Sequence, residues 1–149
     1  MKVEDIIKNK GARVVTLTTE GTIAQAAKVM IQERIGGVVV CDGDGKLRGV
    51  LSERDIVQGL ATYGEKILPM KIGELMQKPI VTTNPGDTLL KVMALMTDRR
   101  VRHLPVVDEE GHLHGIISIG DAVKSRIEEI EAETKTLWEY ITSQPKREG

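Results

Sequence analysis

Apolar and polar positions along the chain change period in a set order, and that order occurs twice. An extended stretch, Arg13 to Leu17, is followed by a helical pattern in which Ile23, Ala26, Ala27, Met30 and Ile31 share one face. Thr22 opens this helix, and Gln25 three residues on completes a capping box. The apolar run Gly37 to Cys41 predicts a buried strand, and Asp42-Gly43-Asp44-Gly45 predicts a tight turn. Leu47 to Leu51 predicts a second strand running into a second helix. The same order then returns. Pro79 to Thr83 is extended, Leu89, Val92, Met93 and Met96 form a helical face, and Leu104 to Val107 reads as a strand. Asp108 to Gly111 is the turn, and Leu113 to Ile117 the second strand. Each unit is β-α-β-β-α.

The two units align without a gap. A shift of 66 residues sets Thr16 on Thr82 and lays Val14 to Gln58 on Ile80 to Lys124. Identical pairs include Val15/Val81, Thr22/Thr88, Met30/Met96, Arg34/Arg100, Asp42/Asp108, Gly49/Gly115, Ser52/Ser118 and Asp55/Asp121. Two copies of this length imply a pseudo-two-fold pair rather than a solenoid. Short helices, Val3 to Lys8 and Ile72 to Met76, lead into the copies. We place the first repeat with its leading helix at 1–62, the second at 63–133, and a C-terminal extension at 134–149. The last helix is expected to run on to about Thr142. Its stripe of Ile127, Ile130, Leu137, Trp138 and Ile141 is longer than one small module covers, so part of it should meet another surface.

Aromatic residues make up only 2% of the chain and Phe is absent, so the core must be aliphatic. The formal net charge of −1 argues against a general nucleic-acid binder, and Arg99, Arg100 and Arg102 make a poor nucleic-acid patch without aromatic neighbours. Cys41 is the one cysteine, which excludes an intramolecular disulfide, and its place after three valines makes it core filler. No apolar run approaches the roughly 20 residues that span a bilayer. Acids replace a signal peptide's apolar region near Met1, and the reading is cytoplasmic with no membrane partner. His112 and His114 flank Leu113 on one strand face, but no third metal ligand accompanies them. Glu128 to Lys135 reads as a solvated helix face, with Glu131 and Lys135 spaced for an ion pair.

Candidate chemistry lies where the second strand of each copy meets its helix. The phrases are Gly49-Val50-Leu51-Ser52-Glu53-Arg54-Asp55 and Gly115-Ile116-Ile117-Ser118-Ile119-Gly120-Asp121. One reading is a second capping box in each copy. The other is a ligand site: a helix N-terminus favours phosphate, serine can donate to an anion, and aspartate can accept from both hydroxyls of a ribose.

The duplicated unit, the paired Gly-x-x-Ser-x-x-Asp phrases and the strand Arg102-His103-Leu104-Pro105-Val106-Val107-Asp108 resemble a tandem pair of cystathionine-β-synthase (CBS) domains, over roughly residues 5–133. The resemblance implies an α/β (α+β) fold of two pseudo-symmetric repeats packed through their sheets, with adenosine nucleotides in two clefts between them. It implies that Asp55 and Asp121 hold ribose hydroxyls, with Ser52 and Ser118 near phosphate or ribose. Thr16 and Thr82 would face base or ribose, and Arg102 and His103 would bind phosphate, with Arg54 a further candidate. The copies differ: Gly36-Gly37 stands against Arg102-His103, Arg54 against Gly120, and Val39 where the family proline, matched by Pro105, would sit. Gly36 and Gly37 either let the strand pack closely or leave one cleft room for a larger ligand such as NAD(H).

The expected function is a regulatory module, not an enzyme. It requires no cofactor, binds AMP or another adenine nucleotide, pairs as a homodimer and reports to an unidentified regulated protein. An enzyme acting on a nucleotide is the alternative, though no nucleophile–base pair or phosphate-binding glycine loop is visible. A structural dimerisation module with empty clefts is the third reading.

Overall fold

The computed structural model describes residues 1–11, 14–78 and 81–143; the first half of the chain takes the expected order of elements, and the second takes it from its first helix onward. Arg13, Pro79 and Ile80, assigned above to extended segments, lie outside the described residues. The first half contains α1 (Val3–Lys10), β1 (Thr16–Thr18), α2 (Ile23–Glu33), β2 (Gly37–Cys41), β3 (Leu47–Ser52) and α3 (Glu53–Tyr63). A 3-10 turn, Gly64–Ile67, and α4 (Ile72–Leu75) lead to α5 (Leu89–Arg99), β4 (His103–Val107), β5 (Leu113–Ser118) and α6 (Ile119–Ser143).

Local chemistry explains the boundaries. The Thr22 hydroxyl accepts from the Gln25 backbone N–H at 3.2 Å while the Gln25 side-chain amide oxygen accepts from the Thr22 N–H at 3.0 Å, closing the capping box on α2. Both α2 and α5 stop on an arginine in the left-handed region, Arg34 (φ 55°) and Arg100 (φ 54°), which turns the chain toward the following strand. In the hairpin turns one aspartate oxygen gathers two backbone donors. Asp42 accepts from Asp44 and Lys46, and Asp108 accepts from Glu110 and His112.

In the first repeat β1 runs parallel to β2, and β2 pairs antiparallel with β3, with Gly37 opposite Ser52. In the second, β4 and β5 pair antiparallel, with His103 opposite Ser118. The counterpart of β1 shrinks to one bridge, Thr83 with Val106. Beyond it the Thr83 hydroxyl and the Asn84 N–H both donate to Asp87, at 2.8 and 2.9 Å, and close the turn at Pro85-Gly86.

Each repeat keeps its own aliphatic core, and the lead-in segments are exchanged between them. Val3 and Ile6 of α1 pack with Leu89, Val92, Leu104 and Ile117 of the second repeat. Ile67 and Ile72, from the connection, pack with Ile23, Val38, Val40 and Leu51 of the first. Backbone bonds mark the exchange symmetrically: Val3 N–H donates to Asp87 and Ile72 N–H to Gly21, while Leu89 N–H donates to Met1 and Ile23 N–H to Met70.

Two details depart from the sequence reading. Ile31 is 79% exposed rather than buried. Eight residues past Ile23 it has rotated about 80° away from the core-facing line. Lys135 approaches Glu139 at 4.0 Å, one turn C-terminal, in place of the Glu131 pairing. Residues 131–143 of α6 are exposed throughout, the apolar Leu137, Trp138 and Ile141 included, in keeping with a stripe that one module does not cover. Cys41 is buried and free, as core filler should be.

Candidate functional site

Strand β3 delivers Ser52 to the start of α3, and its hydroxyl accepts from the Asp55 N–H at 3.2 Å. One oxygen of the Asp55 carboxylate accepts from the Ser52 N–H at 2.8 Å and from the Ser52 hydroxyl at 3.0 Å. The other accepts from the Gln77 side-chain amide at 2.9 Å, and the Gln77 backbone N–H donates to Val50. Asp55 is only 8% exposed, so each of its bonds is made under substantial desolvation.

The second repeat builds the same corner with a different donor. Ser118 caps α6, accepting from the Asp121 N–H at 3.1 Å, while Asp121 accepts from the Ser118 N–H at 2.9 Å. Where the first repeat has Gln77, this one has Lys10, from the exchanged helix α1. Its ammonium donates to Asp121 at 2.7 Å and to the Ile116 carbonyl at 2.8 Å. Burial alone would raise the Asp121 pKa. The Lys10 ammonium and the Ser118 donors outweigh burial and hold it below the ordinary carboxylate value.

The repeats meet at their equivalent residues Gly37 and His103. A Cβ added to Gly37 would lie 2.8 Å from the His103 ring. Near a pseudo-two-fold axis a residue faces its own counterpart, so a large side chain on one copy requires a small one on the other. The space expected at Gly37 for a larger ligand is therefore filled by His103. Gly36 is less restricted, its nearest neighbour in that direction being the Glu53 carboxyl group at 3.6 Å. Burial lowers the His103 pKa and the Lys10 charge lowers it further, against the opposing pull of Asp121, Glu53 and Asp55. His103 thus lies within electrostatic reach of the acids of both corners.

A cavity of about 710 Å³ opens between the repeats on the Asp55 side. The first repeat contributes Gly36, Ser52, Arg54 and Val57, the connection contributes Gln77, and the second repeat contributes Arg100, Val101, Arg102 and His103. Arg54, Arg100 and Arg102 are all exposed there, and Val50, Val57 and Val101 supply apolar wall. The volume is in the usual range for a small-molecule site, roughly 300–1,000 Å³. Guanidinium groups beside aliphatic wall suit a ligand with an anionic end and a flat apolar part.

Of the residues singled out from sequence, the structure brings Gly36, Ser52, Arg54, Arg102 and His103 into this cavity, with Asp55 bonded to its lining residues Ser52 and Gln77. Gly37 backs it under His103. Ser118 and Asp121 form the opposite corner. Pro105 is buried in β4, opposite Ile116, and Thr16 is exposed on β1, opposite Val39. Thr16 and Thr82 are not among the described residues lining the cavity. Gln77, Arg100 and Lys10 were not singled out as site residues. Arg100 carried a signal, its identity with Arg34 at the helix end. Gln77 and Lys10 fall outside the aligned stretches, and only the exchange of lead-ins brings them to the aspartates. The His114 ring bonds Asp108 at 2.8 Å, and among the described residues no group of three or more ligand-type side chains could hold a metal. Among those residues no helix is long and apolar enough to cross a membrane.

The CBS domain family model matches residues 3–62 and 72–128. The chain is 34% identical over 147 residues to the mitochondrial CBS domain-containing protein CBSX3 of Arabidopsis thaliana, covering 93% of this chain and 71% of that protein. It resembles the crystal structure of the CBS-domain containing protein ATU1752 from Agrobacterium tumefaciens with a TM-score of 0.80 and 40% identity, over 85% of this chain and 99% of the other. It also resembles the CBS domain pair of protein MJ0100, solved in complex with 5′-methylthioadenosine and S-adenosyl-L-methionine. There the TM-score is 0.76 and the identity 25%, over 87% and 98% of the two chains.

Proposed function

The chain belongs to the CBS-domain family as a tandem pair of repeats, and on that premise we propose that it is a regulatory module binding an adenine nucleotide of the AMP, ADP or ATP class between them. The observation that carries this reading is the convergence of Arg54 from one repeat and Arg100 and Arg102 from the other on one partly apolar cavity. The phosphate lies among the guanidinium groups. Asp55 takes the ribose hydroxyls once the Gln77 amide turns aside, and Ser52 and His103 flank it. The adenosine-derived molecules bound by the MJ0100 pair support the nucleoside class. NAD(H) is not favoured, because His103 occupies the space that Gly37 offered.

On this reading the protein binds its nucleotide without transforming it. Incubated with ATP or AMP, separated from free ligand and then denatured, it should release close to one equivalent or more of nucleotide, chemically unchanged. Recovery of a product would favour the enzyme reading, and no retained nucleotide would favour a dimerisation module with empty clefts.

Self-association forms the second part of the proposal. Val123, Ile127, Ile130, Leu137 and Ile141 are exposed on α6 at alternating intervals of three and four residues, interrupted once by Thr134. That is the spacing of a coiled-coil seam. Paired in parallel with a second copy, Arg126 would face the partner's Glu131, a favourable charge match. Sedimentation at micromolar concentration should give twice the 16.4 kDa chain mass, and Leu137→Asp should shift it toward the monomer. A monomeric wild-type protein would refute the pairing.

A further inference from the structure

The two corners differ in what holds the aspartate: a neutral amide from Gln77 at Asp55, an ammonium from Lys10 at Asp121. Both groups arrive by the same exchange of lead-in segments, and both tie back to the same place in their repeat. The Gln77 N–H donates to Val50 and the Lys10 ammonium to Ile116, residues equivalent at the repeat shift. The Lys10–Asp121 pair is partly sheltered, its side chains 36% and 25% exposed. A carboxylate already neutralised by an ammonium is a poorer acceptor for hydroxyl groups than one bonded to an amide. The ammonium also has a second anchor in the Ile116 carbonyl, so displacing it breaks two bonds at once.

We propose that Lys10 is an intramolecular latch on the second cleft, holding on Asp121 the position that a ribose diol would take, so that nucleotide enters there only by displacing it. The inference rests on the nucleotide reading given above. Lys10 then decides which cleft fills first: the Asp55 cleft binds at low nucleotide concentration, and the Asp121 cleft only at higher concentration. Filling the second cleft frees the end of α1 from α6, so an N-terminal segment reports the occupancy of a site built by the C-terminal half.

Calorimetric titration of AMP into the wild type, Lys10→Gln, Lys10→Arg and Asp121→Asn tests the latch. The wild type should show two unequal affinities, and Asp121→Asn should abolish the weaker. Lys10→Gln copies the first cleft and should strengthen the weaker site about two- to fivefold while leaving the tighter one unchanged, as expected for loss of a partly exposed ion pair. Lys10→Arg keeps the charge and should stay weak. If Lys10→Gln leaves the weaker site unchanged or weakens it further, Lys10 is no latch, while the nucleotide reading survives. If none of the four proteins binds AMP, the nucleotide reading fails and takes the latch with it.

Discussion

Ile6→Ala should loosen the second half of the protein more than the first, although Ile6 lies near the N-terminus. Ile6 is 2% exposed and packs with Leu89, Val92 and Leu104, so truncating it leaves a cavity in the second core. Ile72→Ala should act in the opposite sense, because Ile72 is fully buried against Ile23, Val38 and Leu51. Each substitution should cost about 2–5 kcal/mol, the usual range for removing a buried aliphatic side chain. Urea unfolding gives the magnitude and amide hydrogen exchange the location. Ile6→Ala should speed exchange first in α5, β4 and β5, and Ile72→Ala in α2, β2 and β3. If Ile6→Ala instead speeds exchange in β2 and β3 while β4 and β5 stay protected, the exchange of lead-in segments is wrong.

That exchange also marks how far the sequence could be read. The order of elements was legible because hydrophobic period, capping residues and turn aspartates all agreed, as Thr22 with Gln25 and Asp42 with its turn show. The assignment of α1 to the second core was not legible. Val3 and Ile6 offer the same short apolar face as Ile72 and Leu75, and neither pattern says which repeat it covers. Without that assignment, Lys10 and Gln77 could not be placed beside Asp121 and Asp55. The asymmetry of Gly37 and His103 was visible as a difference between copies. Its meaning depended on the pseudo-two-fold contact, where one residue fills the space its counterpart leaves.

The second large effect concerns the nucleotide itself. Arg54 and Arg102 come from different repeats and meet at one cavity, so removing either should weaken AMP binding if the phosphate is held between them. Asp55 should matter through its bonds to the ribose. Hydrogen bonds to charged groups are worth roughly 1.5–3 kcal/mol, so Asp55→Asn should weaken binding by about ten- to a hundredfold. The exposed arginines are better screened, and Arg54→Ala or Arg102→Ala should each cost about two- to fivefold. Asp55→Asn keeps a side-chain oxygen for the cap on α3, which limits the loss of helix stability. The most direct measurement is calorimetric titration of AMP into the wild type, Asp55→Asn, Arg54→Ala and Arg102→Ala, each checked for native stability. The account predicts saturable binding by the wild type, a large loss at Asp55 and smaller losses at both arginines. Equal AMP affinity in all four folded proteins would contradict it.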